Sequence, residues 1–294
     1  MTRDATTTRG PMPSERAEIP LEKTETVFNL SQVAFQYPGG STALESLDLI
    51  VGRGESLGIL GANGCGKSTL LELLDGLLFP SCGQYEAFGM RITEEILSHE
   101  ETNRQFRSRV GLVFQRSDVQ LFCPTVRDEL SFGPLQLKLP KEQVIERIRD
   151  VMSLLEIEQL ADRAPFSLSG GEKKKVAIGS VLTMNPEVLL LDEPGNELDP
   201  RTQAWLIEFL MRLKEAGKTL VIATHDLAMV DEICDRVVIL GESHRLLANG
   251  PTDVILGSPE LLLKANLIHE HDHRHGGITH RHLHSHDMGH QHEH

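Results

Sequence analysis

The chain has 294 residues with 29 basic and 43 acidic side chains, a formal net charge of −14. Residues 27–265 hold −11 of that charge, and such a body lacks the clustered Lys and Arg that a phosphate backbone rewards, which argues against nucleic acid as a partner. No run approaches the about 18 apolar residues of a membrane span, no apolar leader opens the chain, and Cys65, Cys82, Cys123 and Cys234 form no CxxC pair; the sequence predicts no membrane helix, no signal peptide and no disulfide frame.

Residues 1–26 are polar and carry Pro11, Pro13 and Pro20, which predicts a flexible arm. Apolar alternation over Val27–Tyr37 and Leu47–Leu60 predicts strands, with Gly39-Gly40 as the turn signal. A helix-like stretch, Thr69–Leu78, follows. Val110–Phe114, Val188–Leu191 and Leu220–Ala223 are short β-rich runs, and Lys141–Leu155, Gly171–Met184 and Thr202–Lys214 have helical periodicity. Strands alternating with helices predict an α/β fold, a mostly parallel sheet with flanking helices, and the strand-rich start predicts an added antiparallel β subdomain. The expected organisation is an arm over 1–26, one domain over 27–265, and a disordered His-rich tail over 266–294.

Gly61-Ala62-Asn63-Gly64-Cys65-Gly66-Lys67-Ser68 fits the P-loop pattern GxxxxGK[ST], after an apolar strand and before a helix. Glycines let backbone N–H groups curl around phosphates, and a helix N-terminus adds a favourable field for the anion. In that pattern Lys67 reaches the outer phosphates and the Ser68 hydroxyl can ligate Mg²⁺. Val188–Leu191 delivers Asp192 and Glu193 to the end of a buried strand, where parallel sheets bind ligands. Asp192 suits the Mg²⁺ shell, and Glu193 can orient and polarise an attacking water. Lys173-Lys174-Lys175 reads as a solvated helix face.

Leu168-Ser169-Gly170-Gly171-Glu172 resembles the signature motif of ATP-binding cassette (ABC) ATPases, and its order relative to the other motifs matches that family. The resemblance covers roughly residues 27–265. It implies a P-loop NTPase core carrying a helical signature subdomain, and ATP with Mg²⁺ as ligands. It assigns Gln115 as the Q-loop glutamine, touching both nucleotide and Mg²⁺. Glu197-Leu198-Asp199-Pro200 resembles the D-loop, His225 the switch histidine, and Tyr37 the aromatic that stacks on adenine. By the same resemblance Lys67, Gln115, Glu193 and His225 are catalytic. Gly61, Asn63, Gly64, Cys65, Gly66, Ser68, Thr69, Ser169, Gly170, Gly171, Glu172 and Asp199 complete the nucleotide site. The signature motif then serves a second cassette, most simply an identical copy, with two ATP molecules clamped between them. Gly195-Asn196-Glu197 departs from the family's commonest D-loop pattern.

The segment Asp118–Phe122 and Thr125–Pro134 resembles energy-coupling-factor ATPases, in particular the cobalt and nickel branch. That resemblance implies an integral membrane coupling subunit, a substrate-binding membrane subunit, and a peripheral place on the cytoplasmic face of the inner membrane. Asp118, Leu121 and Phe122 are the candidate partner contacts. The implied function is an ATP hydrolase driving transition-metal import, with zinc or vitamin import as the alternative and a soluble ABC ATPase of DNA repair or translation further off. The tail holds 11 of the 14 histidines, at 269, 271, 273, 275, 280, 282, 284, 286, 290, 292 and 294. Imidazole ligates Ni²⁺, Co²⁺ and Zn²⁺, so His269, His271, His273, His275, His280, His282, His284, His286, His290, His292 and His294, with Asp272 and Asp287 assisting, form a candidate metal buffer or sensor.

Overall fold

The computed structural model describes residues 25–275 and 278–285, with side chains over 25–268. The chain opens with β1 (Thr26–Gln36), β2 (Thr42–Gly52) and β3 (Ser56–Leu60), then α1 (Lys67–Leu74), β4 (Cys82–Ala87) and β5 (Met90–Arg91). Two polar helices, α2 (Glu94–Ser98) and α3 (Glu100–Arg109), lead into β6 (Val110–Val113). A helical block follows: α4 (Ser117–Gln120), α5 (Val126–Gln136), α6 (Lys141–Leu155) and α7 (Gly170–Leu182). The chain then alternates β7 (Val188–Asp192), α8 (Pro200–Glu215), β8 (Thr219–Ala223), α9 (Leu227–Ile233), β9 (Arg236–Leu240) and β10 (Leu246–Pro251), and closes with α10 (Thr252–Leu256) and α11 (Pro259–Lys264).

The main sheet has the order β10-β9-β3-β8-β7-β6, and only the edge strand β10 runs antiparallel. A separate antiparallel sheet has the order β2-β1-β4-β5. Successive strand side chains face opposite ways, and this period divides the core. Leu189 and Leu191 of β7, with Leu220 and Ile222 of β8 and Val237 and Ile239 of β9, join the cluster built with α7, α8 and α9. Their neighbours Val188, Leu190, Val221, Ala223, Val238 and Leu240 join the cluster built with α1 and the antiparallel sheet. The apolar runs that suggested fully buried strands are buried for this reason.

In α6 the buried residues are Val144, Ile148, Val151, Met152 and Leu155, one helical stripe against the block. Glu156, at φ 55°, ends the helix in the left-handed region. The tail departs from the expected disorder. Ile268–His275 (β11) and Ile278–Ser285 (β12) pair antiparallel with each other, forming a sheet of their own. Strict alternation of His with other residues has a strand's period, which accommodates this pairing. His286, His290, His292, His294 and Asp287, like most of the N-terminal arm, lie outside the described residues.

Candidate active site

The P-loop joins β3 to α1. Gly66, at φ 113°, is the N-cap, and a Cβ there would meet the Ala43 carbonyl oxygen at 2.3 Å. Only glycine lets the loop pass this close to β2. No side chain caps α1, so its first N–H groups remain available to an anion. The Lys67 side chain is buried, donates to the Gly61 carbonyl at 2.8 Å, and has Glu193 Oε1 at 3.3 Å.

Tyr37, Asn63, Gly64, Gly66, Lys67, Ser68, Thr69, Gln115 and Glu193 line one cleft of about 500 Å³. Tyr37 shares a hydrogen bond with Thr69 Oγ1 at 2.9 Å and meets the Phe35 ring edge-on. Cys65 does not line the cleft. Its side chain is buried, its thiol closely approaches Gly61, and burial pushes the thiol pKa up.

Glu193 follows β7 with φ 41°, a strained conformation for a residue with a side chain. Its backbone N–H donates to the Ala223 carbonyl at 2.8 Å. Its Oε2 accepts from Thr224 Oγ1 at 3.1 Å and lies 2.9 Å from His225 Nδ1. With a carboxylate accepting, Nδ1 carries the proton. His225 thus bears directly on Glu193, and Thr224 is a positioning residue that motif reading missed. Its adjacency to His225 at the end of β8 was the available signal.

Asp192 is buried, and its Oδ1 has no hydrogen-bond partner among the described residues. Burial raises its pKa, and the hydrogen bond from Ser68 opposes that rise. A buried orphan carboxylate oxygen beside a hydroxyl suits a hard cation, so Ser68, Asp192 and the Gln115 side chain fit Mg²⁺ by donor type. Bound there, Mg²⁺ would neutralise phosphate charge.

Ser169, Gly170, Gly171, Glu172, Glu197 and Asp199 line a second cleft of about 360 Å³, whose lining shares no residue with the first. Ser169 and Glu172 form a capping box on α7: Ser169 Oγ accepts from the Glu172 N–H, and Glu172 Oε2 accepts from the Ser169 N–H at 2.8 Å. Asp199 caps α8, accepting from the N–H groups of Arg201 and Thr202. Glu172 and Asp199 are therefore occupied as caps that shape the second cleft. A third cleft contains His225 and shares Glu193 with the first and Glu197 with the second.

The lysine run is not a solvated face. Lys173 pairs with Asp118 at 2.7 Å. Lys174 is buried, donates to the Gln115 carbonyl at 3.1 Å, and burial lowers its pKa to about 8. Lys175 donates to the Leu155 carbonyl and lies over the Trp205 ring. The run thus ties the signature helix α7 to the Q-loop and to α6 and α8. Of the three expected partner contacts, Leu121 packs against the core and Asp118 is engaged by Lys173. Phe122 is 66 % exposed and meets Phe132, 43 % exposed, edge-on at 4.9 Å.

A family model described as "ABC transporter" matches residues 44–196. A putative ABC transporter ATP-binding protein of Methanosarcina acetivorans is 50 % identical over 272 residues, 92 % of this chain and 99 % of that protein. The nickel import ATP-binding protein NikO of Rhodobacter capsulatus is 48 % identical over 244 residues, 82 % of this chain and 95 % of its own. Among solved structures, cbiO1 from Clostridium perfringens, part of the ABC transporter complex cbiONQ, superposes with TM-score 0.71 and 34 % identity, covering 83 % of this chain and 95 % of that one. The chain belongs to the ABC transporter family as an ATP-hydrolysing, ATP-binding subunit.

Proposed function

We propose that this chain energises a membrane importer of nickel or cobalt, acting as one of two identical cassettes. The observation that carries the reading is the exposed Phe122–Phe132 pair on the segment that follows Gln115. Large apolar rings exposed together are an unusual feature of a protein surface away from an interface. A coupling helix of a membrane subunit seated there would act on the Q-loop, because Lys173 and Lys174 join this segment to α7. The relative named as a nickel import ATP-binding protein supports nickel as the cargo, and cobalt rests on the resemblance of Asp118–Phe122 and Thr125–Pro134 to the cobalt and nickel branch.

Pairing of cassettes accounts for the two separate clefts. The P-loop cleft holds the nucleotide from one side, and the N-terminus of α7 in a second copy would meet the γ-phosphate from the other. In that clamp Glu193 orients the water, His225 and Thr224 hold Glu193, and Lys67 exchanges its carboxylate contact for phosphate. Tyr37 stacks on adenine. No helix among the described residues is long and apolar enough to cross a membrane, which accords with a peripheral subunit on the cytoplasmic face.

The tail is read as a metal buffer beside the cassette. Its backbone register supports this: His269 stands opposite His284, His271 opposite His282, and His273 opposite His280. Borderline imidazole ligands suit Ni²⁺, Co²⁺ and Zn²⁺ alike, so the tail does not select the cargo.

The test is uptake of radioactive nickel and cobalt into inverted-free, right-side-out membrane vesicles loaded with ATP and carrying the complete transporter. Phe122→Ser is expected to cut uptake at least tenfold while the isolated chain keeps its basal ATPase activity. Uptake equal to wild type would remove the docking assignment.

A further inference from the structure

The turn between β9 and β10 reaches the nucleotide cleft, and it does so through His244, which lines the cleft with Tyr37, Thr42, Ala43 and Gly64. The turn is closed by hydrogen bonds from Gly241 N to the Arg245 carbonyl at 3.0 Å and from His244 N to the Gly241 carbonyl at 2.9 Å. It is strapped to β2 by Glu45 N donating to the His244 carbonyl at 2.9 Å and by the Arg245–Glu45 ion pair. His244 itself has φ 61°, the left-handed region that favours glycine. A residue with a large side chain is therefore held in a strained conformation at the edge of a functional cleft, a common mark of a side chain retained for what it does.

The side chain has a specific contact. His244 Nδ1 lies 3.1 Å from the Cys65 carbonyl oxygen. A carbonyl only accepts, so Nδ1 donates. The Cys65 carbonyl and the Gly66 N–H belong to one peptide unit, and in a trans peptide they point in opposite directions. Holding the oxygen towards His244 therefore aims the Gly66 N–H the other way. Gly66 lines the cleft, and its N–H is one of the donors that a P-loop turns towards phosphate. If the peptide rotated, a carbonyl dipole would face the anion instead. The other anchors hold neighbouring peptide units: Lys67 holds the Gly61 carbonyl, Cys65 N donates to the Ala62 carbonyl, and Leu70 N donates to the Gly66 carbonyl, so that His244 alone among these contacts engages the Cys65 carbonyl itself.

The geometry points to His244 as a positioning residue of the nucleotide site, which fixes the Cys65–Gly66 peptide so that the P-loop presents its N–H to the phosphates of a nucleoside di- or triphosphate. This rests on the nucleotide site alone and is independent of the cargo.

Two substitutions separate positioning from mere folding. His244→Gly suits the backbone conformation but removes the donor; His244→Gln keeps a donor on a flexible arm. Both are to be measured in the full chain for ATP and ADP affinity by calorimetry, for KM and kcat of ATP hydrolysis, and for melting temperature. His244→Gly is expected to melt no lower than wild type, to bind ADP and ATP about five- to tenfold more weakly, as one hydrogen bond's loss implies, and to raise KM by more than it lowers kcat. His244→Gln is expected to recover most of the affinity. Wild-type affinity in His244→Gly would overturn the assignment, as would a weakening matched by a lower melting temperature, or a Gln variant as weak as the Gly one. Lys67→Ala is the reference: retained nucleotide affinity there would count against the P-loop site itself, separately from His244.

Discussion

Glu193 shows how much of the proposed site depends on one backbone conformation. Its φ of 41° turns the chain at the end of β7, so that the carboxylate meets Thr224 and His225 at the end of the neighbouring strand β8. Lys67, Ser68, Asp192 and Glu193 were legible in the sequence because each sits at a fixed offset within a strand–loop unit. Thr224, whose one signal is its adjacency to His225, and His244 were missed, because their contacts arise from strand neighbours and from a turn distant in the chain. Glu193→Gln keeps the shape of the side chain and removes its basicity. ATP hydrolysis is expected to fall by about 10²–10⁴-fold, while ATP affinity and ATP-driven pairing of cassettes persist. Single-turnover hydrolysis together with size measurement checks this; substantial turnover would remove Glu193 from its role.

At the scale of elements, α7 shows why a charge run misleads. Three consecutive lysines suggested water, yet on a helix of 3.6 residues per turn they spread over about 200° and meet three different neighbours. Which neighbours those are depends on packing, and no local pattern reports it. The same limit applied to Leu121 and Phe122, adjacent residues of which one packs inwards and the other stays out. The polar helix α3, with Phe106 its one buried residue, gave no apolar period to read.

The end of α1 carries a pH-dependent contact. Asp75 is buried beside Arg107, and burial outweighs that pairing, raising its pKa from 3.8 to about 6. The folded state therefore binds the proton more tightly than the unfolded chain. Its stabilising effect is complete below pH about 4 and is lost as pH rises to about 6. Relative to Asp75→Asn, the wild type is expected to lose up to about 3 kcal/mol of stability across that window and to change little above it. Denaturant unfolding of both proteins from pH 4 to 8 measures the difference; a flat difference would contradict the assignment.

For the whole molecule, the alternating βαβ pattern and the early strands foretold the parallel sheet and the antiparallel one. The motifs foretold a nucleotide site, and the structure distributes them over the P-loop cleft and the α7 cleft, which share no lining residue, with His225 in a third cleft that borders both through Glu193 and Glu197. That separation is the physical motive for the second cassette proposed above. The tail was legible as composition but not as a hairpin, since its strand-like alternation carries no apolar face to bury. Because β11 and β12, among the described residues, pair only with each other, truncation after Leu267 is expected to leave basal ATPase activity within about threefold and to lower the number of Ni²⁺ ions bound per chain. Steady-state hydrolysis and equilibrium dialysis report both, and a complete loss of hydrolysis would make the tail part of the cassette.

The most direct test of the transport role is metal accumulation by whole cells at trace external nickel, cobalt and zinc, comparing wild type with a strain carrying Lys67→Ala. Selective loss of nickel or cobalt accumulation is the predicted result. Selective loss of zinc, or no change in any of the three, would contradict it.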